Sequence, residues 1–350
     1  MNTRIIIQIM IISFFTSCGH KQKGIFADNP EIVKNFVKEK ELEPELFTEN
    51  DIYAIGDIIC LDNHVVFSID TGNDFLYYAY NYEGDSIGTF IAYRGQGPND
   101  LLTDVFCGQF YKDSVGIYMW INDVNQSRLC AIDVNQSLLS GKCSIDKSIT
   151  TIPMAVNCFY SNDSLLIMEQ RVAKNYNLLI KNLNSGAVLH KEPIYNYPAE
   201  NAFGTYQSKW RIKSDGTKYV SAMIGINQIN IGDFLTGQKK SLNIYNKISR
   251  LEDVIDKATG LQKNIYYCGI EITDDYIYAL YMNQPYEDTF MKEKSMEVHV
   301  FSWDGDVICK FIIPQYITRF AVNETKEYIL GWDHLNEKLY KYKFDKNIFR

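Results

Sequence analysis

Proline is scarce in this chain, with 8 in 350 residues, and charged residues make up only 22%. That composition fits neither a disordered segment nor a fibrous repeat. No run of Lys and Arg occurs, and the formal net charge is -8. Phosphate neutralisation needs clustered cations, so no nucleic acid partner is expected. No apolar run reaches the roughly 20 residues that a membrane-spanning helix needs. The 5 His are dispersed, and no two of the 8 Cys have C-x-x-C spacing, so no zinc site is expected. G-x-S-x-G, H-E-x-x-H, an EF-hand loop and a G-K-[ST] phosphate loop are all absent. No catalytic constellation is therefore legible, and neither catalytic residues nor a cofactor is expected.

What the chain does have is aromatic side chains. Tyr (25) and Phe (19) dominate an aromatic content of 14%. These rings suit pleated, half-buried surfaces, so the composition leans towards β structure. The length allows one large domain or two ordinary ones.

The first residues read as an address. Arg4 makes a basic n-region, and Ile5 to Phe15 form an apolar stretch broken by Gln8 and Ser13. This is the length of a secretory h-region, and Thr16 and Ser17 are small residues of the cleavage-site kind. The run Phe15-Thr16-Ser17-Cys18 resembles the lipobox of bacterial lipoproteins, with Phe15 where Leu is usual. The resemblance implies that Cys18 is acylated and begins the mature protein. Acyl chains on one Cys hold a protein at a membrane surface. Residues 1–17 are thus expected to be a signal peptide, and 18–45 a tether with a short helix. The helix would span 29–40, capped by Asp28 or Asn29, with Pro30 at its first position and Ile32, Val33, Phe36 and Val37 on one face. No acidic run directly follows Cys18. The expected place is the cell envelope, lipid-anchored in the outer membrane and facing the periplasm.

Removing Cys18 leaves seven cysteines, mostly in apolar runs such as Val307-Ile308-Cys309. They read as small buried hydrophobes rather than a disulfide framework.

Beyond about residue 50 the pattern is strand after strand. Alternating or apolar runs of five to nine residues, such as His64–Asp70, Phe75–Tyr82 and Met296–Trp303, are separated by turn residues. One helix interrupts them, over 249–260. Ser249 and Glu252 form a capping box there, and Gly260 is a natural stop. A turn recurs at Gly84, Ser137, Gly186, Gly237 and Gly305, at intervals of 53, 49, 51 and 68 residues. A period near 50 with four short strands per unit is the sign of a β-propeller. Five markers give five blades. Residues 317–345 supply three more strands, and Leu46–Gly56 can add the fourth from the other end of the chain. The fold class is therefore all-β: a six-bladed β-propeller over 46–350, with one short inserted helix.

At the end of the first unit stands Tyr93-Arg94-Gly95-Gln96-Gly97-Pro98-Asn99-Asp100-Leu101. A strand ending in G-x-G-P before an acidic or amide residue resembles the six-bladed, TolB-like β-propeller lipoproteins of bacteria, a largely uncharacterised family. The family usually has Glu near Asp100, where this chain has Asn99-Asp100. The resemblance implies fold and envelope location and names no reaction. Read from the residues alone, Gly95 and Gly97 would take backbone angles closed to other residues, and Pro98 fixes the exit direction. Arg94 and Asp100 could face the mouth of the central channel, and Asn99 beside them is a further candidate ligand residue.

A second candidate site is the long connection 195–211, with Glu200, Asn201, Tyr206, Trp210 and Arg211. Rings beside amides and charges suit a glycan or a peptide. Arg171 is a third. The segments Asp70–Asp74 and Asp304–Asp306 look like calcium loops but sit where hairpin turns belong. Three functions are consistent with these residues. The first is an anchored envelope module that binds a glycan, a peptide or an envelope protein. The second is a calcium-dependent hydrolase of lactones or esters, in which Asn99, Asp100, Glu169, Asn201 and Glu271 would converge on a channel metal. The third is a structural envelope component.

Overall fold

The computed structural model describes residues 24–350 apart from 50, 51, 53, 162, 163, 246–250, 290, 292 and 293. The signal peptide, Cys18 and the Ser249 cap lie outside the described residues.

The chain opens with three short strands, β1 (Glu31–Val33), β2 (Glu39–Glu41) and β3 (Pro44–Leu46). Blade 1 then follows as β4 (Ile55–Leu61), β5 (His64–Asp70), β6 (Asp74–Tyr80) and β7 (Ser86–Tyr93). Blade 2 is β8 (Val105–Lys112), β9 (Ile117–Asp123), β10 (Arg128–Asp133) and β11 (Ile145–Thr150), with helix α1 (Val134–Ser140) in its last hairpin. Blade 3 is β12 (Ala155–Ser161), β13 (Leu165–Val172), β14 (Asn175–Asn182) and β15 (Val188–Pro193). Helix α2 (Ala202–Tyr206) leads to blade 4: β16 (Ser208–Ile212), β17 (Lys218–Met223), β18 (Gln228–Asp233) and β19 (Lys239–Ile244). Helix α3 (Leu251–Val254) leads to blade 5: β20 (Asn264–Ile272), β21 (Tyr276–Pro285), β22 (Met296–Ser302) and β23 (Val307–Ile313). Blade 6 is β24 (Ile317–Asn323), β25 (Tyr328–Asp333) and β26 (Lys338–Lys343), completed by β3.

Each blade is an antiparallel meander. Its first strand lies against the first strands of its neighbours, around the axis. Hairpins between strands one and two, and three and four, therefore gather on one face of the ring. The other face collects the hairpins between strands two and three and the connectors to the next blade. The middle strands are apolar on both sides, as in Ile117–Asp123 and Tyr328–Asp333, where every residue is buried. Each blade is covered on both faces by its neighbours, which is what continuous burial requires. Six hydrophobic cores result, one at each junction between blades.

The five turn markers all fall between the third and fourth strands of their blades. Gly84, Gly186, Gly237 and Gly305 adopt φ of 94°, 71°, 69° and 80°, where a side chain is strained. The duplicated Asp-Val-Asn-Gln-Ser caps one helical turn at each end of β10. Asp123 accepts from Gln126 N–H, and Asp133 from Gln136 N–H.

Three expectations need correction. Residues 24–47 are not a tether with a helix; they form a belt around the ring. β1 adds in parallel to β19, β2 adds in parallel to β23, and β3 pairs antiparallel with β26. Phe26, Val33 with Phe36, Leu42 and Phe47 each enter a successive core, from the blade 3–4 junction to the blade 6–1 junction. The pairing that closes blade 6 thus comes from the N-terminal side, but earlier than Leu46–Gly56. Helix α3 is one turn rather than 249–260. The Asp256 carboxylate accepts the N–H groups of Ala258 and Thr259, and Ile255 bridges to Gln262. Asp competes with a helix through such local bonds. The seven described cysteines are free thiols, five of them buried.

Candidate functional site

The face that gathers the first hairpins opens into a hollow of about 670 Å³ at the channel mouth, and all six blades line it. Asp62 and Asn63 come from blade 1, Gln109 and Phe110 from blade 2, and Phe159 from blade 3. Ser214 comes from blade 4, Asp274 and Asp275 from blade 5, and Asn323, Glu324 and Lys326 from blade 6. The side-chain amide of Gln109 clamps blade 3, donating to Tyr160 O and accepting from Tyr160 N–H at 2.6 and 3.0 Å. Ser214 donates its hydroxyl to Asp274. Asp62 pairs with Lys112 at 2.6 Å and Glu324 with Lys346 at 3.6 Å. With Asp274 and Asp275 set against Lys326, the mouth keeps a mild acidic excess.

Beneath the mouth, β16 alternates. Trp210 and Ile212 enter the core, while Lys209 and Arg211 point into the channel, as strand pleating dictates. Arg211 pairs with Glu271 at 3.2 Å. Burial lifts the Glu271 carboxyl to about 7, with Arg211 opposing the shift. Burial lowers the Lys209 ammonium, and the neighbouring Arg319 adds to that effect. Gly108 makes room for Arg211. It sits at φ 72° in a bulge of β8, and a Cβ there would lie 2.2 Å from the Arg211 side chain.

Of the sequence-selected ligand residues, Arg211 alone reaches the channel. Arg94 stacks over Phe75 and pairs with Asp70 at 2.7 Å, tying the G-x-G-P loop to blade 1. Asn99 accepts from Ile145 N–H, and Asp100 accepts from Gly97 N–H. Arg128 of blade 2 donates to the carbonyls of Pro98 and Asp100. This loop is an inter-blade lock on the connector face, not part of the mouth. Gly95 and Gly97 are not in the left-handed region. A Cβ at either would lie 2.5 or 2.6 Å from the Asp100 carboxylate, and that close approach is their physical reason. Tyr206 and Trp210 are buried: Tyr206 stacks on Tyr195 at 4.2 Å, and Trp210 packs in the same junction core. Asn201 caps α2 through Gly204 N–H. Arg171 lies over Phe203 at 4.7 Å, beside Glu200, in a shallower hollow on the connector face.

The five residues weighed for a channel metal do not converge, each being engaged with a different partner. Among the described residues no group of three His, Cys, Asp or Glu is arranged to hold a metal ion. In the sequence, Thr273-Asp274-Asp275 has the composition of an ordinary turn. It is a turn, but one in the hairpin position that faces the axis in every blade.

Glu169 gives a direct test of burial. It is 2% exposed and accepts from Asn157 Nδ2, its one hydrogen-bond partner among the described residues, and burial raises its carboxyl to about 7. As pH rises, the unfolded chain loses this proton near 4.5 while the folded chain keeps it until about 7. Stability from this group is therefore lost across that window, on the order of 3 kcal/mol in all. Glu169→Gln is expected to flatten it. Melting temperatures of wild type and variant should diverge between pH 4.5 and 7, with the variant higher at pH 7. Parallel curves would contradict the assignment.

The profile of a family described as TolB-like 6-blade propeller-like matches residues 53–325. No curated protein matches. Among solved structures, a member of the duf4221 family from Bacteroides vulgatus is 16% identical, with a TM-score of 0.55. The match covers 88% of this chain and 99% of that one. A candidate exported protein of Bacteroides fragilis is 12% identical, with a TM-score of 0.53, covering 87% and 98%. At these identities the likeness is one of fold.

Proposed function

We propose that this chain, which belongs to the TolB-like six-bladed propeller family, is a membrane-anchored binding module of the cell envelope. Its ligand is a neutral or basic polar molecule of glycan or peptide chemistry, held at the channel mouth. The observation that carries this reading is a hollow to which every blade contributes, with the exposed ring of Phe110 beside amides and carboxylates. Rings offer apolar faces while amides fix orientation, which is the usual make-up of a polar-ligand site. The acidic excess at the rim disfavours anions. The lipobox-like Phe15–Cys18 and the exported relative support the envelope location.

The test is a screen of the protein against immobilised neutral glycans, basic peptides and acidic peptides. Binding within the neutral or basic sets is expected, weakening at high salt for the basic one. Binding confined to acidic peptides, or to none, would overturn the reading.

A further inference from the structure

The shallower hollow on the connector face, of about 300 Å³, is walled by three segments. Met154 comes from the connector into blade 3, Arg171 from the end of β13, and Glu200 and Phe203 from the start of α2. Hydrogen bonds hold the three segments together. Arg171 N–H donates to Met154 O at 2.9 Å, Gln170 Nε2 donates to Pro153 O at 3.1 Å, and Ala199 N–H donates to Lys174 O at 2.8 Å. Met154 takes φ 63°, a backbone region that strains a residue with a side chain. Such strain persists only where the surroundings fix it, so this wall is set before any ligand arrives.

The Arg171 guanidinium is positioned there with its hydrogen-bonding capacity largely free. It lies over the Phe203 ring at 4.7 Å, and its Nη2 approaches the Met154 thioether at 3.8 Å. A thioether is a weak acceptor, and a ring face leaves the in-plane N–H groups untouched. Among the described residues no carboxylate pairs with Arg171, although Glu200 lines the same hollow. A stacked guanidinium with a free edge matches a carboxylate through two parallel hydrogen bonds, and the stacking lowers the ordering cost of making them. The neighbouring wall is apolar, with Phe203 50% and Met154 37% exposed. Glu200 is exposed at the rim, and an ionised carboxylate only accepts, so it matches an N–H on the ligand. It also disfavours a dianion such as phosphate, for which Arg171 would be a single counter-charge. An N-acylated apolar amino acid offers all three groups on one carbon: the carboxylate, the side chain and the amide N–H. That is the chemistry of a peptide C-terminus.

We propose that this hollow binds the C-terminal carboxylate of a peptide that ends in an apolar residue. Arg171 holds the carboxylate, Phe203 and Met154 take the last side chain, and Glu200 accepts the backbone N–H. The site is separate from the channel mouth and does not depend on the ligand proposed there. The test is a calorimetric titration of the protein with acetyl-Gly-Gly-Phe carrying a free C-terminus, and with the same peptide amidated. The free acid is expected to bind at least tenfold more tightly than the amide, and Arg171→Gln to abolish that preference. Arg171→Lys keeps the charge but loses the fork, and should fall between the two. Phe203→Ala should weaken the free acid at least fivefold, while Asp274→Asn with Asp275→Asn at the mouth leaves it unchanged. An amide bound as tightly as the free acid by wild type, or a free acid not bound at millimolar concentration, would overturn the proposal without recourse to any variant. A loss in the mouth variant with none in Arg171→Gln would also overturn it, by assigning the peptide to the mouth.

Discussion

The double variant Phe36→Ala, Leu42→Ala is expected to unfold at a far lower denaturant concentration than wild type. Phe36 packs within 4.4 Å of the His299 ring and sits in the blade 4–5 core, while Leu42, 1% exposed, fills the blade 5–6 core. Buried Phe→Ala changes cost about 3–5 kcal/mol and Leu→Ala about 2–5. The two sites lie in different junctions and should add, so the loss approaches the 5–15 kcal/mol that holds a typical domain together. The mechanism is specific to a ring. The belt adds strands to blades 4 and 5 and supplies the fourth strand of blade 6, so loosening it also exposes strand edges. Urea unfolding followed by tryptophan fluorescence checks this. An unchanged midpoint would mean that the belt is a passive tether after all.

Gly108→Ala is the second large effect. The new Cβ would displace Arg211 and would also strain a backbone at φ 72°. Glu271 would then be left without its guanidinium partner. Breaking a fully buried pair by removing one member costs about 3–5 kcal/mol; here both side chains are partly exposed, at 13% and 19%, so a smaller loss is expected from the pair, added to the backbone strain. Adding Glu271→Gln should recover part of the loss, since it deletes the stranded charge. A double-mutant cycle on urea midpoints reads that coupling. Additive losses would contradict the link between the glycine and the ion pair.

Much of the ring was legible because its signal is local and repeated. The markers at Gly84, Gly186, Gly237 and Gly305 mark one hairpin position that needs a left-handed residue in blade after blade. Closure of blade 6 followed from counting strands. The belt was not legible, because its spacing imitates a helix. Ile32, Val33, Phe36 and Val37 suggest one face, yet Val33 and Phe36 are buried while Ile32 is 44% and Val37 94% exposed. Their conformation is set by the edges of β19 and β23, which are more than 200 residues away. The mouth was hidden for a related reason. Asp62, Asp274 and Glu324 occupy ordinary turn sequences, and only the ring brings them together. The aromatics of 195–211 drew attention because they are dense, but a long connector needs its own core, and Tyr206 and Trp210 provide it.

The most direct test of the central claim, that the mouth is the binding site, is a calorimetric titration of the strongest glycan or peptide from the screen. It should be run against wild type, Asp274→Asn with Asp275→Asn at the mouth, and Glu200→Gln on the connector face. The expected result is at least a tenfold weaker Kd for the mouth variant, about 1.4 kcal/mol, with Glu200→Gln unchanged. A mouth variant that binds as wild type does, or a loss confined to Glu200→Gln, would contradict it.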